Sequence, residues 1–229
     1  MKEENCYFLF ITLLLSVLVS SCVSPSKKAD MVKPVKVTSP HGEEREIPAP
    51  KEEEIKSLEL FMEILELVES AEDRKSVLPE IEGRYEKIIR EYPEAPLAQE
   101  SYWKLITIYV KDYSPPAYDK AEMMYDEFLE KYPQSFFKGF IEDTLGNSYY
   151  KNAEWTRLLK LAAPAYREYL DNGKQPRPSM LFMYSEANYH LGNIKEAEEG
   201  YKIVAELYPK LIVGIKSKKM LEKVGEKED

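Results

Sequence analysis

The feature that most constrains how this chain folds is a twelve-residue frame that occurs three times and is closed by Tyr-Pro. The frames begin at Ile81, Ala121 and Ala197, contain Tyr85, Tyr125 and Tyr201, and are closed by Pro93, Pro133 and Pro209. Two adjacent apolar residues lie between the tyrosines of each frame. Apolar residues at i, i+4, i+7/i+8 and i+11 form one face of an α-helix, and proline biases the residue before it away from helical angles. The frame therefore predicts three amphipathic helices that end at Tyr-Pro.

The spacing of these helix ends indicates a repeat with one unmarked member. The closing prolines are 40 and then 76 residues apart, and 76 is twice 38. A further helix is therefore expected to end near residue 171, where Asn172 and Gly173 take the place of proline as a helix stop. Another helix is predicted ahead of each end, at 52–72, 95–112, 135–151 and 177–191. The predicted fold class is all-α.

Residues 76–209 also carry motifs of a known repeat. These are Leu145-Gly146 on a first helix, Tyr149 three residues after that glycine, Gly192 at a turn, and the alanines, tyrosines and prolines of the frames. The segment therefore resembles the tetratricopeptide (TPR) repeat. This resemblance implies a right-handed α-solenoid of four or so TPR-like hairpins within a domain at 52–224, with 52–72 and 211–224 as capping helices. A coiled-coil seam is the alternative for 52–72, but about two heptads is short for one.

The N-terminal segment has the pattern of an export signal. Residues 7–19 are nearly all apolar, a run that is too short to span a bilayer comfortably and that matches the core of a secretory signal. An uncleaved signal anchor and a buried helix are the alternatives. The following Leu18-Val19-Ser20-Ser21-Cys22 resembles the lipobox of bacterial lipoproteins. The resemblance implies removal of residues 1–21, acylation of Cys22 with palmitate-type chains, and, because Val23 and not aspartate follows, the periplasmic face of the outer membrane over the inner membrane.

Residues 22–51 are predicted to be a flexible tether. They are rich in proline, lysine, serine and glutamate and contain no aromatic residue, so they bury too little apolar surface to order themselves. A coil of about thirty residues has a root-mean-square span of about 30 Å. Lys27, Lys28, Lys33 and Lys36 favour an anionic lipid surface, although a merely soluble linker fits equally well. Residues 225–229 are expected to be a disordered tail.

The sequence contains no recognisable catalytic arrangement. Its two histidines are His41, in the tether, and His190, and a mature chain that keeps Cys22 as its single cysteine has no disulfide. No nucleophile elbow, phosphate loop or metal-ligand spacing is present in the sequence. A net charge of −9 with interleaved signs argues against a nucleic-acid partner. We expect no enzyme, cofactor or metal, and the remaining catalytic alternative is a lone glutamate acting as a glycosidase acid.

The TPR resemblance implies a surface for partner proteins or peptides along the first helices of the hairpins. The positions carried over from the motif are Lys104, Ile108, Asp143, Asn147, Tyr150, Glu186, Tyr189 and His190. The alternative is that Ile108 and the tyrosines pack between repeats. Oligomeric state is left open.

Lipobox, tether and Tyr-Pro helix ends together resemble the BamD family of outer-membrane lipoproteins, which help to assemble β-barrel proteins. The segment from Tyr125 to Pro133 and the Tyr-Pro-Gln-Ser run carry this resemblance, and a diverged paralogue is equally compatible with it. It implies a membrane-anchored scaffold that binds envelope proteins. A general periplasmic adaptor for division, secretion or polysaccharide export is the alternative of the same class. A lipid-anchored cell-wall hydrolase or solute-binding protein is the alternative of another class, and it requires a deep polar pocket with convergent carboxylates.

Overall fold

A computed structural model of the chain describes residues 35–38, 44–47 and 51–225. The predictions for the export signal, Cys22 and His41 lie outside the described residues, as do those for most of the tether and for residues 226–229. The chain divides into two compact units, residues 1–51 and 52–229.

In the first unit, two short strands pair antiparallel. Strand β1 is Val35–Thr38 and strand β2 is Glu44–Ile47, with Val35 opposite Ile47 and Lys36 opposite Glu46. The composition of residues 22–51 predicts a flexible tether, and the pairing of these two strands departs from that prediction. The sequence signal for strand β1 is the alternation in Val-Lys-Val-Thr, because β-branched residues favour extended backbone.

The described part of the second unit is all-helical. It consists of nine α-helices, with a 3-10 turn at Arg74–Val77 after the first. They are α1 (Glu52–Ser70), α2 (Leu78–Glu91), α3 (Pro96–Lys111), α4 (Tyr118–Lys131), α5 (Phe137–Lys151), α6 (Trp155–Asn172), α7 (Pro178–Leu191), α8 (Ile194–Leu207) and α9 (Ile212–Gly225). The all-α prediction is confirmed for this unit. The helices predicted at 52–72, 95–112, 135–151 and 177–191 are present to within two residues at either end, and those of the three frames begin three residues before the frame. Within residues 51–225, no helix combines the length and apolarity needed to cross a membrane.

The three Tyr-Pro helix ends adopt one backbone conformation. Tyr92, Tyr132 and Tyr208 follow α2, α4 and α8 with φ of −130°, −131° and −129° and ψ of 53°, 58° and 47°. In each case the tyrosine N–H donates to the carbonyl four residues earlier. The unmarked helix α6 ends at Asn172, and Gly173 takes the left-handed conformation with φ of 65°. The sequence frame therefore encodes a repeated turn, and the predicted position of the unmarked helix end is confirmed.

The helices pack against their sequence neighbours and against their second neighbours. Alternate helices α1, α3, α5, α7 and α9 contact one another in a row. Among the described helices, substantial contacts reach no further than the second neighbour, so α1 and α9 lie at opposite ends of this row.

Small residues permit close approaches between the helices. Ala121 and Ala197 are completely buried, as the repeat motif predicts. Gly146 of α5 lies against α7, where an added Cβ would be 2.7 Å from the Met183 sulfur and 3.3 Å from the Met180 methyl. The first-helix glycine therefore admits the methionines of the following hairpin.

Candidate functional site

Helix α5 has one face in the core and one in solvent. Ile141, Leu145 and Tyr149 are buried. On the opposite side, residues from Phe136 to Tyr150 recur at intervals of three or four and are exposed or half-buried. These residues are Phe136, Phe140, Asp143, Asn147 and Tyr150. At about 1.5 Å per residue they form a stripe about 20 Å long, which we call the α5 face.

An aromatic cluster occupies the N-terminal end of the α5 face. Phe137 and Phe140 contact Trp103 of α3, with ring centroids 6.0 Å and 5.4 Å from that of Trp103, and Phe136 packs on Phe137 and Phe140. The Trp103 indole N–H donates to Thr144 Oγ1 at 3.1 Å, and Lys104 Nζ lies 4.7 Å from the indole ring. Phe136 is 72% exposed. Exposed contiguous aromatic surface of this kind is typical of protein-binding sites.

A second aromatic cluster lies at the C-terminal end of the face. Trp155 of α6 stacks on His190 of α7 with centroids 3.9 Å apart and planes 6° from parallel. Tyr150 and Tyr189 approach this pair edge-on, at 5.6 Å from Trp155 and 5.5 Å from His190 respectively. Phe140 and Tyr150 are separated by ten residues of helix, which places the two clusters about 15 Å apart.

Polar groups separate the two clusters. Asp143 forms an ion pair with Arg177 at 2.9 Å and accepts a hydrogen bond from the Ser179 hydroxyl at 3.1 Å. Asn147 is exposed one turn further along α5. An amide and a carboxylate at this point supply a donor and acceptors for the main chain of a bound segment.

The structure brings six of the eight predicted site residues to this surface. They are Lys104, Asp143, Asn147, Tyr150, Tyr189 and His190. Tyr150 also packs between helices, the alternative considered for the tyrosines, because its hydroxyl donates to Glu186 of α7 at 2.8 Å. Its side chain is nevertheless 38% exposed.

The other two predictions are wrong. Ile108 is 2% exposed because its side of α3 belongs to the apolar core. Glu186 is 5% exposed, and its carboxylate accepts hydrogen bonds from the hydroxyls of Tyr150 and of Tyr201, the latter at 2.5 Å. Neither side chain is available to a partner.

Sequence reasoning also missed most of the aromatic residues of the face. Trp103, Phe136, Phe137, Phe140 and Trp155 are not among the predicted site residues. The available signal was the Phe-Phe-x-x-Phe spacing directly after Tyr-Pro-Gln-Ser, in phase with Asp143 and Asn147.

Pairs of tyrosine and glutamate hold the helices together. In each pair a phenolic O–H donates to a carboxylate of another helix, and we call these the tyrosine–carboxylate pairs. They are Tyr102–Glu127 (2.8 Å), Tyr113–Glu82 (2.5 Å), Tyr125–Glu142 (2.8 Å), Tyr149–Glu122 (2.8 Å), Tyr150–Glu186 (2.8 Å) and Tyr201–Glu186 (2.5 Å). Burial, followed by the hydrogen bond to Glu186, raises the pKa of Tyr201 well above its ordinary value. These phenols therefore stay protonated and act as hydrogen-bond donors in packing.

A cleft of about 520 Å³ lies between α4, α5, α6 and the segment before α7. Leu129, Leu145 and Leu161 contribute to its apolar lining. Of its carboxylates, Glu122 is held by Tyr149 and by Arg157 at 2.7 Å, and Glu142 is held by Tyr125 and by Arg177. The other two carboxylates of the lining are Glu168, which pairs with Lys174 at 2.7 Å, and Asp126. Within residues 51–225 no group of three or more His, Cys, Asp or Glu side chains has the geometry of a metal site.

Comparison of the chain with models of protein families gives no match, and comparison with curated proteins gives no significant match. A proposal for function therefore depends on the lipobox sequence, the packing of the helices and the chemistry of the α5 face.

Proposed function

We propose that this protein is a lipid-anchored scaffold of the bacterial envelope that binds partner proteins through the α5 face. The observation that carries the proposal is the solvent-exposed stripe with an aromatic cluster at each end and polar groups between them. Aromatic anchors that are surrounded by partly polar residues contribute most of the binding energy in many protein interfaces. The α5 face has this composition, whereas Glu122 and Glu142 of the cleft are each held by an arginine.

The helices are proposed to form a TPR-like right-handed solenoid. Support comes from the row of alternate helices and from the three Tyr-Pro turns of identical conformation. The Tyr132 hydroxyl donates to the Pro93 carbonyl at 2.7 Å, and the Tyr208 hydroxyl donates to the Pro176 carbonyl, so two of these tyrosines reach back to the preceding turn. In such an array each hairpin buries its apolar face against the next, and the first helices line one continuous surface.

The dimensions of the α5 face favour a peptide segment as its ligand. An extended chain advances about 3.3 Å per residue, so clusters about 15 Å apart match two apolar side chains four or five residues apart. The main chain between these anchors then lies over Asp143 and Asn147. Short extended segments of this kind occur at chain termini and in proteins that are bound in a partly unfolded state.

The N-terminal sequence supports a location at a membrane surface. Lipidation at Cys22, thirty residues before the start of α1, keeps the helical unit close to the bilayer. By resemblance to the BamD family, we propose the outer membrane and a role in β-barrel protein assembly as the specific form of this function. A general periplasmic adaptor is the broader form, and the identity of the partner distinguishes the two.

The membrane anchor is tested by Cys22→Ala in the full chain. We expect a soluble variant with an unchanged helical circular-dichroism spectrum, no incorporation of labelled palmitate and no sedimentation with membranes. A variant that still sediments with membranes contradicts the proposed anchor.

The binding surface is tested by photo-crosslinking in cells. A photoreactive residue replaces Asn147 in the middle of the α5 face, and the matched control carries it at Met123, which is 63% exposed on α4. We expect a specific protein adduct at position 147 that is absent at position 123. An outer-membrane barrel-assembly protein in the adduct supports the specific form, and a different envelope protein supports the adaptor. Equal adducts at both positions, or none at position 147, contradict binding at the α5 face.

A further inference from the structure

The outward side of α1, at one end of the row of helices, combines apolar and acidic residues. Leu58, Met62 and Leu65 are each 39% exposed and recur at helical spacing, while Phe61 and Ile64 are buried on the opposite side. Helix α1 carries seven glutamates and a single lysine. Within residues 51–225, Glu59, Glu66 and Glu69 take part in no salt bridge; Glu63 pairs with Arg84, and Glu52 with Lys56. The surface is therefore an apolar stripe with a negatively charged border.

The outward side of α9, at the other end of the row, has the opposite charge. Leu211 and Ile215 are about half exposed, and Ile212 is 73% exposed. Gly214, Ser217 and Val224 form the side of α9 that is buried. The helix carries four lysines and a single glutamate. Lys218 and Lys219 are exposed and, within the described residues, form no salt bridge.

We propose that the α1 surface of one copy of this protein docks on the α9 surface of a second copy. Because α1 and α9 lie at opposite ends of the row, they do not meet within one chain. Each surface leaves apolar side chains in water, and each has the charge that the other lacks. Pairing α1 with α1, or α9 with α9, opposes like charges, which destabilises an interface. The favoured contact is therefore head-to-tail, and it leaves one free surface at each end of the assembly.

A parallel alignment of the two helices places an apolar pair at their N-terminal ends and groups of opposite charge further along. With Ile212 at the level of Leu58, Lys219 lies at the level of Leu65 and beside Glu66. Hairpins with short connections have antiparallel neighbours, so alternate helices share one direction. A second copy in this register continues the row of alternate helices from α9 into the next α1. The contact does not involve the α5 face, so its failure would leave the proposed partner binding untouched.

Disulfide crosslinking in membranes tests the contact. Of two full-length chains with different tags, one carries Leu58→Cys and the other carries Ile212→Cys. The parental chain, whose cysteines are Cys6 and Cys22, measures the background of disulfide formation. We expect a mixed dimer when the two are produced together and no dimer above background from either alone. A chain with both substitutions should give a ladder of oligomers, because a head-to-tail contact does not close. Dimers of the Leu58→Cys chain alone, or no mixed dimer, would overturn the proposal.

Charge reversal tests the matching of the two surfaces. Glu66→Lys with Glu69→Lys, or Lys218→Glu with Lys219→Glu, is expected to lower the yield of mixed dimer by about tenfold. Combining the two reversed surfaces, one in each copy, should restore it. Glu130→Lys on α4 is the matched control, because Glu130 is exposed and remote from both surfaces. Unchanged circular dichroism shows that each variant folds. Yields that do not respond to reversal, or that are not restored by the combination, contradict the ionic matching.

Discussion

The tyrosines between the helices and the aromatic residues on the α5 face differ in what surrounds them. Tyr102, Tyr149 and Tyr201 are almost completely buried, and each hydroxyl donates to a glutamate of another helix. Phe136 and Phe140 have their rings partly in solvent and contact other aromatic rings. Aromatic side chains therefore lie in two surroundings, the packing between helices and the exposed surface that we propose as the binding site.

The buried pairs do more than fill space. A leucine packs in many positions, whereas a phenol that must reach a carboxylate fixes one helix relative to another. Two pairs join α4 and α5 reciprocally, since Tyr125 donates to Glu142 and Tyr149 donates to Glu122. Arg177 and Arg157 then bind the same two glutamates. The high tyrosine content of this chain, 17 residues, is explained in part by these contacts.

Raising the pH should have the largest effect on the buried tyrosines. Burial and glutamate neighbours raise the folded-state pKa of Tyr102, Tyr149 and Tyr201 above the unfolded value of about 10. The folded state thus holds these protons more tightly, so their stabilisation is fully present below pH 10 and is lost as the pH rises through the folded values. Each such tyrosine lowers the free energy of unfolding by up to about 1.4 kcal/mol per pH unit above pH 10.

Chemical denaturation between pH 8 and 12, with phenolate absorbance as a second probe, measures this loss. Tyr113, whose hydrogen bond to Glu82 and burial raise its pKa to about 12, should titrate before the three buried phenols. A Phe136→Ala variant should show the same pH profile as the parent, because the Phe136 ring contacts Phe137 and Phe140 and belongs to none of the tyrosine–carboxylate pairs. A free energy of unfolding that stays constant to pH 12 would contradict the role of the pairs.

Removing the glutamate that serves two tyrosines should have the next largest effect. Glu186→Ala leaves the hydroxyls of Tyr150 and Tyr201 without their acceptor, and the second of these is completely buried. We expect the free energy of unfolding to fall by about 3 kcal/mol, measured by urea denaturation. Glu186→Gln keeps one acceptor oxygen and should cost about 1 kcal/mol. Equal effects of the two variants would show that the hydrogen bonds are unimportant.

The helix ends could be predicted from the sequence because they are set locally. Proline after Tyr92, Tyr132 or Tyr208 restricts the backbone whatever packs against it, and Gly173 supplies the left-handed residue at the unmarked end. The alternation at Val35–Thr38 was missed because four residues are a weak signal beside the polar composition around them.

The binding surface was harder to predict, because exposure depends on which side of a helix meets its second neighbour. The motif places Ile108 and Glu186 on first helices but does not fix their rotation, and both proved to be buried. Phe136 and Phe140 were overlooked since apolar residues at helical spacing are normally assigned to the core. Their exposure follows from packing between α3 and α5, which sequence periodicity does not report.

Lowering the pH should reduce the free energy of unfolding through one carboxylate, that of Glu127, and by less than the changes described above. Burial would raise the pKa of Glu127, but hydrogen bonds from Lys131, Tyr102 and Arg90 outweigh it and lower the pKa below the ordinary value. The contribution of Glu127 is therefore fully present above the unfolded pKa and is lost as the pH falls through the folded one. Glu127→Gln should cost about 1 kcal/mol at pH 7 and make unfolding less sensitive to acid below about pH 4.5. Parallel acid-denaturation curves for parent and variant would contradict this.

The smallest effect on stability is expected on the α5 face, where the effect on binding should be largest. Phe136 is 72% exposed, so Phe136→Ala removes little buried area and should change the free energy of unfolding by no more than about 0.5 kcal/mol. As an exposed anchor in an aromatic cluster, the same side chain is expected to contribute about 2 kcal/mol to partner binding, a loss of roughly thirtyfold in affinity. Urea denaturation and the yield of the position-147 adduct measure the two quantities on one variant, with Met123→Ala as the exposed apolar control on α4. Loss of stability without loss of adduct would assign Phe136 to packing and place it with the buried tyrosines.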